Sequence, residues 1–393
     1  MVTIRSLIAL LVLFVSTSLA QDDPIRTNYE SGQKLARSGD LQAAELKLKA
    51  AVTAAESLGL KSGILAASLQ SLSIVNYLQA RYEAAEELGR RALSIFEEAS
   101  GKQSSDVGRA LNNLANICNV QHRYAEAESL YVRSLAVLEK ALGTDNPELA
   151  DVHEGWAALY CLQEKWDQAE SHYLKATALL EKKFPLSPDL LAAYAGLGKV
   201  ALARTRLDEA AIYFGKAQAI LEKSDLGKDS LESLAIYDGL GELAYVRERH
   251  EEAAGYFRRV LTVREKAIGS EHPQLIPSLI QLANAVYLER NFDEAESLYK
   301  RALNLEEKAH GKDKQGAIAP LISLGDIRYS QAGYLEAESL YNRALAIAEK
   351  ATDVKVEEKA TTLDRLVLVL RATGREADAA TIEARAKTIR QKK

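Results

Sequence analysis

Asn112, Asn113, Asn116 and Asn119 lie close together in the stretch ALNNLANICNV. On a helix, offsets of one, three and three set these residues along one side. An amide side chain both donates and accepts, so such a ladder can pair with the backbone of an extended peptide whatever its side chains. The same residues would also serve merely to solvate the helix or to keep a turn, and the ladder alone leaves both readings open. Catalytic chemistry is sparser. No Walker loop, HExxH, GxSxG or CxxC occurs, and His122, His153, His172, His250, His272 and His310 form no i,i+4 pair. His272, before Pro273, is expected to set a turn. Carboxylates recur without one pair standing apart. This inventory points away from an enzyme, and neither a cofactor nor a metal site is expected.

Composition agrees with a role in binding rather than chemistry. Ala, Leu and Glu dominate, and only seven Pro interrupt 393 residues, which favours helix over sheet. The formal charge of −5 comes from interspersed charges that suit solvated helix faces. Such a chain has no electrostatic reason to seek nucleic acid or an anionic membrane. Cys118 and Cys161 stand 43 residues apart, at nearly equivalent places in neighbouring repeats. Neighbouring helices sit about 8–10 Å apart, whereas a disulfide needs Cα atoms within about 7 Å, so two separate thiols are expected.

The elements that carry the ladder announce themselves by self-similarity. YAEAESLYVRSLAVLEKALG (124–143), FDEAESLYKRALNLEEKAHG (292–311) and YLEAESLYNRALAIAEKATD (334–353) are copies of one segment. Weaker copies begin at Leu41, Tyr82, Trp166, Leu207, His250 and Arg375, so successive starts are 41 to 43 residues apart. A stacked repeat keeps that rhythm along a chain. Within the copies, Ala127, Tyr131 and Ser134 recur as Ala295, Tyr299 and Ala302, and again as Ala337, Tyr341 and Ala344. Offsets of four and three place them on one helical face, small residues allowing close approach and the aromatic filling the wedge beside them. Upstream, a first helix carries Leu followed by a small residue, as in Leu114-Ala115, Leu197-Gly198, Leu240-Gly241, Leu282-Ala283 and Leu324-Gly325. A mid-helix Gly costs up to about 1 kcal/mol of propensity, so close packing is its reason. Between repeats, Gly143 to Pro147 and Gly269 to Pro273 read as a helix stop followed by a helix start.

These residues resemble the tetratricopeptide repeat (TPR) family, and the longer period resembles its kinesin light chain subtype. The likeness is densest in residues 110–150, which carry LNNLA, YAEAE and LG-x-D-x-P together. The fold it implies is all-α, a right-handed TPR superhelix of antiparallel helix pairs with about nine repeats. They are expected at residues 26–60, 62–101, 106–143, 147–184, 188–225, 230–269, 273–311, 315–352 and 356–391. The last, with its small and polar second helix, reads as a C-terminal cap. In such an array the first helices line the concave wall, and Asn at positions matching Asn112, Asn113, Asn116 and Asn119 holds a cargo peptide in kinesin light chain-like repeats. The remaining wall is mixed. Gln70, Ser71, Gln281, Asn284 and Ser323 are neutral; Asp151, Glu154, Asp238, Glu242, Asp326 and Asp364 are acidic; Lys199 and Arg365 are basic. The Lys/Asn carboxylate clamp of chaperone-binding TPRs is not reproduced, and basic or neutral extended segments are the expected partners. Tyr77, Tyr245, Tyr287 and Tyr329 share one first-helix position and suit either groove pockets or packing between helices.

The N-terminus departs from a kinesin light chain, which would begin with a coiled coil. Arg5 precedes an apolar stretch over residues 7–15, and Ser18 and Ala20 stand at the −3 and −1 positions of a cleavage site before Gln21. This is the pattern of a secretory signal peptide over residues 1–20. The apolar stretch is short against the roughly 20 residues of a membrane span. The expectation is an exported, periplasmic or secreted protein, bacterial by preference, with no membrane insertion after cleavage. No Asn-x-Ser/Thr sequon occurs. Two functions fit: a scaffold or adaptor that holds a protein or peptide of unidentified sequence in the groove, or a subunit that self-associates through its ends or outer face.

Overall fold

The computed structural model describes residues 24–59, 62–351 and 354–391. The expected signal peptide lies outside them. Among the described residues the fold is all-α, with eighteen α-helices in consecutive antiparallel pairs and no strand. Two compact units divide the chain, the first ending at Lys228 and the second beginning at Asp229. The first holds α1 (Pro24–Arg37), α2 (Leu41–Ser57), α3 (Gly63–Leu78), α4 (Tyr82–Ser100), α5 (Ser105–Val120), α6 (Tyr124–Leu142), α7 (Leu149–Leu162), α8 (Trp166–Glu181), α9 (Pro188–Ala203) and α10 (Leu207–Lys223). The second holds α11 (Ser233–Val246), α12 (His250–Ile268), α13 (Ile276–Leu288), α14 (Phe292–His310), α15 (Ile318–Ser330), α16 (Tyr334–Lys350), α17 (Val356–Ala372) and α18 (Glu376–Gln391).

Each odd-numbered helix turns into its partner through the same three-residue device. In the third pair His122 N–H donates to the Asn119 carbonyl at 3.0 Å and Arg123 N–H to the Cys118 carbonyl at 2.9 Å. These two bonds satisfy the last carbonyls of α5, and they require a left-handed residue at His122 (φ 61°). The equivalent residues Gly39, Ala80, Glu164, Thr205, Glu248, Arg290, Ala332 and Gly374 are left-handed too. Between pairs the stop is different: Gly143 ends α6 at φ 91°, ψ 156°, a region open to glycine alone. Helix starts are capped where the sequence allows, as where Ser187 accepts from Leu190 N at 3.1 Å with Pro188 opening α9.

The seam within each pair is the small-and-aromatic face read from sequence. Ala127, Tyr131 and Ser134 are buried, and the Ser134 hydroxyl donates to the Gly108 carbonyl at 2.7 Å. Gly198 faces the Phe214 ring so closely that a Cβ there would stand 2.6 Å from Cε1, and at Gly325 it would stand 2.4 Å from Cε1 of Tyr341. Only glycine fits beside those rings. Tyr77, Tyr245, Tyr287 and Tyr329 pack on the first ring of the following helix, with centroids 5.7, 5.8, 5.5 and 5.5 Å from Tyr82, His250, Phe292 and Tyr334. That settles their position as inter-helix packing across the turn. At the C-terminus α18 buries only Ala379 and Ala386, so it presents a polar outer face to water.

Candidate functional site

The first helices of the N-terminal unit lie side by side in the order α1, α3, α5, α7, α9. On α5 the four asparagines are all buried, 1–4% exposed. They do not act alike. Oδ1 of Asn116 accepts from the Tyr131 hydroxyl at 2.6 Å, and Asn119 lies at the same hydroxyl. These two therefore belong to the seam between α5 and α6. Asn112 Oδ1 and both polar atoms of the Asn113 amide have no hydrogen-bond partner, and neither does Oδ1 of Asn119. One repeat earlier Gln70 has neither amide atom partnered, and one repeat later Glu154 Oε1 is unpartnered. Gln70, Asn112 and Glu154 occupy one position in three successive repeats, 42 residues apart. The structure thus brings a row of unsatisfied polar groups along α3, α5 and α7.

Around Glu154 carboxylates gather. Asp151 and Asp189 face it, and Glu148 faces Asp151. Burial first, then the mutual repulsion of these carboxylates, pushes the Asp151 and Glu154 carboxyls well above their ordinary range. The nearest guanidinium, Arg109, is already committed to Glu148, at 3.0 and 3.1 Å, and to Asp106 at 2.9 Å. Lys199 stands exposed on α9, one turn past the buried Ala195.

The second unit places its expected residues differently. Oδ1 of Asn284 accepts from the Tyr299 hydroxyl at 2.5 Å, and Oδ1 of Asp326 from the Tyr341 hydroxyl at 2.7 Å. Asp326 also pairs with Arg365 at 2.9 Å, and Asp238 pairs with Arg264 at 2.9 Å. Gln281 and Glu242 are half-buried. Asn284 and Asp326 repeat the seam geometry of Asn116. Where the second-helix aromatic is Phe214 or Phe257, with no hydroxyl to donate, the matching first-helix residue is Lys199 or Glu242.

One cluster could be mistaken for a metal site: Glu86, Cys118 and Glu126 bring ligand atoms within 4.8 Å of one another. Its carboxylates are held instead by Arg90 and Arg123, with Arg123 Nη1 2.6 Å from Glu86 and Arg90 Nη2 2.7 Å from Glu126. Two guanidiniums already neutralise the pair, and burial pushes the Cys118 thiol up to about 11, so the donor set does not suit a cation. Cys118 and Cys161 are separate thiols.

Tetratricopeptide repeat models match residues 106–182, 148–223, 232–308 and 281–350, and a further one matches 65–106. Those matches span more than half of the sequence. The chain belongs to the tetratricopeptide repeat family. No curated protein sequence matches it significantly. Solved structures share the fold at low identity. The STAND protein PH0952 of Pyrococcus horikoshii, with a tetratricopeptide repeat sensor, has a TM-score of 0.66 at 15% identity, over 95% of this chain and 53% of that one. A Rap protein complexed with competence and sporulation factor gives 0.55 at 14%, over 90% and 99%. BtubC (BKLC) from P. vanneervenii gives 0.50 at 21%, over 58% and 91%.

This TPR chain also contains a pairing that its sequence does not advertise. His153 on α7 and His172 on α8 meet with Nδ1 atoms 3.0 Å apart, inside a cage of Trp156 and Tyr160. Desolvation, together with the neighbouring Lys175, depresses both imidazoles to about 4. The two residues are 19 apart, so a search for i,i+4 pairs passes over them. His272 sets its turn as expected, its Nδ1 accepting from Gln274 N at 3.2 Å.

Proposed function

We propose that this TPR protein is an exported protein-interaction scaffold whose first-helix row in the N-terminal unit holds an extended peptide segment. TPR arrays are in general non-catalytic binding scaffolds, and a Rap neighbour of the same fold is complexed with a factor. The observation that carries the reading is the unpartnered amide chemistry of Asn112 and Asn113, with Gln70 one repeat before. A buried polar group without a partner costs about 1–3 kcal/mol, and a peptide backbone running across these helices supplies the missing donors and acceptors. Asn116 and Asn119 serve by fixing the floor on which that pair stands.

The test is affinity capture from an envelope fraction, comparing the parent with an Asn112→Ala/Asn113→Ala variant of equal helicity and melting. Loss of a captured protein by the variant supports the groove. Equal capture by both sinks it. Export is tested separately, by N-terminal sequencing of protein recovered outside the cytoplasm. A start at Gln21 supports the cleaved signal, and protein retained inside the cell with Met1 intact counts against it. Self-assembly through the outer face is the second reading, favoured by Val132 and Leu174, which lie 42 residues apart and are 52% and 44% exposed. A dimer that persists after both become Ser would remove it.

A further inference from the structure

We infer that Asp151 and Glu154 on α7 form a subsite for a Lys or Arg side chain of the bound segment, at the end of the row begun by Gln70 and Asn112. The inference rests on the peptide-holding reading and gives it a polarity. Two observations carry it. Glu154 is 6% exposed and its Oε1 has no hydrogen-bond partner, so a buried acceptor waits at the third position of the row. No ion pair among the described residues includes Asp151 or Glu154, and Arg109 is taken up by Glu148 and Asp106. The two carboxyls, three residues apart on α7, suit an ammonium or guanidinium, whose several donors reach separate oxygens.

The geometry also sets a register. Neighbouring first helices stand about 10 Å apart, and an extended chain advances about 3.3 Å per residue, so each repeat takes about three residues of the segment. The basic side chain is therefore expected about three residues from the peptide unit held by Asn112. Raised carboxyl affinities for protons add a consequence: a cation entering the pocket displaces protons, and binding strengthens as pH rises through the range where these carboxyls ionise.

The experiment uses purified protein and pools of degenerate peptides about twelve residues long, each pool fixing Arg, Lys, Gln or Glu at one central position. Retention of the Arg and Lys pools at least about tenfold above the Glu pool is expected. An Asp151→Asn/Glu154→Gln variant should level the four pools at the retention of the Gln pool. Should that variant fold poorly, rising salt serves instead, since it should weaken the Arg pool and leave the Gln pool unchanged. Equal retention of all four pools by the parent overturns the pocket and leaves the groove standing. Retention of none overturns the groove and this inference with it.

Discussion

The Tyr131 hydroxyl donates to Oδ1 of Asn116 across 2.6 Å, and Gly155 of the next repeat lies against both groups. A Cβ at Gly155 would stand 2.7 Å from that oxygen and 2.8 Å from the hydroxyl. One hydrogen bond thus joins the two helices of a repeat at a point where the following repeat comes close through Gly155. Tyr299 with Asn284, and Tyr341 with Asp326, rebuild the bond in the second unit.

Removing that hydroxyl separates a structural asparagine from a binding one. Tyr131→Phe leaves Asn116 Oδ1 buried without its donor, and a loss of about 1–2 kcal/mol is expected. A double-mutant cycle with Asn116→Ala should show coupling between the two sites. Thermal melting of the four proteins measures it. Additive losses would mean that the bond contributes nothing of its own.

The seam was open to sequence reading because its chemistry is repeated. Ala127, Tyr131 and Ser134 recur at fixed offsets, and Gly198 sits where an aromatic must pass. The division of the asparagine ladder was not open in the same way. Asn112 and Asn116 are the same residue type on one helix, and only the position of the Tyr131 hydroxyl tells them apart. A partial trace of it does exist in the sequence, since Tyr131, Tyr299 and Tyr341 accompany Asn116, Asn284 and Asp326 while Phe214 and Phe257 accompany Lys199 and Glu242, although Tyr173 accompanies Ala158. His153 and His172 were hidden because they meet across two helices. Most of the left-handed turn residues were hidden because Ala80, Glu164 and Thr205 carry no preference for that conformation.

Glu154 should weaken the protein that carries it. Its carboxyl is held well above the ordinary value of 4.5 by burial and by Asp189 and Asp151. The folded state therefore binds a proton more tightly than the unfolded chain, so its contribution to stability is complete at low pH and is lost as pH rises. Glu154→Gln should melt above the parent near neutral pH, and the gap should close as pH falls into the ordinary Glu range. A variant that melts lower at every pH would show instead that the carboxylate makes a stabilising contact.

The histidine pair carries the opposite sign. Both imidazoles are depressed from 6.5 to about 4, by burial first, then by His172 and Lys175 at His153 and by Lys175 at His172, where Glu128 opposes the shift. The unfolded chain takes up protons that the folded one refuses, so stability is full above about pH 6.5 and declines from there towards 4. For the well-buried His153 the loss is on the order of 2–3 kcal/mol. Melting temperatures of the parent and of His153→Gln across that interval provide the measurement. An equal decline in both proteins would place the acid sensitivity elsewhere.

The two kinds of helix stop predict opposite responses to exchanging glycine with a side chain. Thr205 holds φ 57°, a left-handed conformation that a β-branched residue enters only under strain, and its hydroxyl reaches no further than the Arg204 carbonyl. Thr205→Gly removes the strain, worth about 1–2 kcal/mol, against a smaller loss from the freer unfolded chain. Gly143 has φ 91° and ψ 156°, where no L side chain is comfortable although nothing lies within 4 Å of the added Cβ. Gly143→Ala should therefore cost about 1–3 kcal/mol through the backbone alone. Denaturant unfolding of the two variants is expected to move the midpoint up for the first and down for the second. Were both to move the same way, the left-handed turns would be set by contacts around them rather than by backbone conformation.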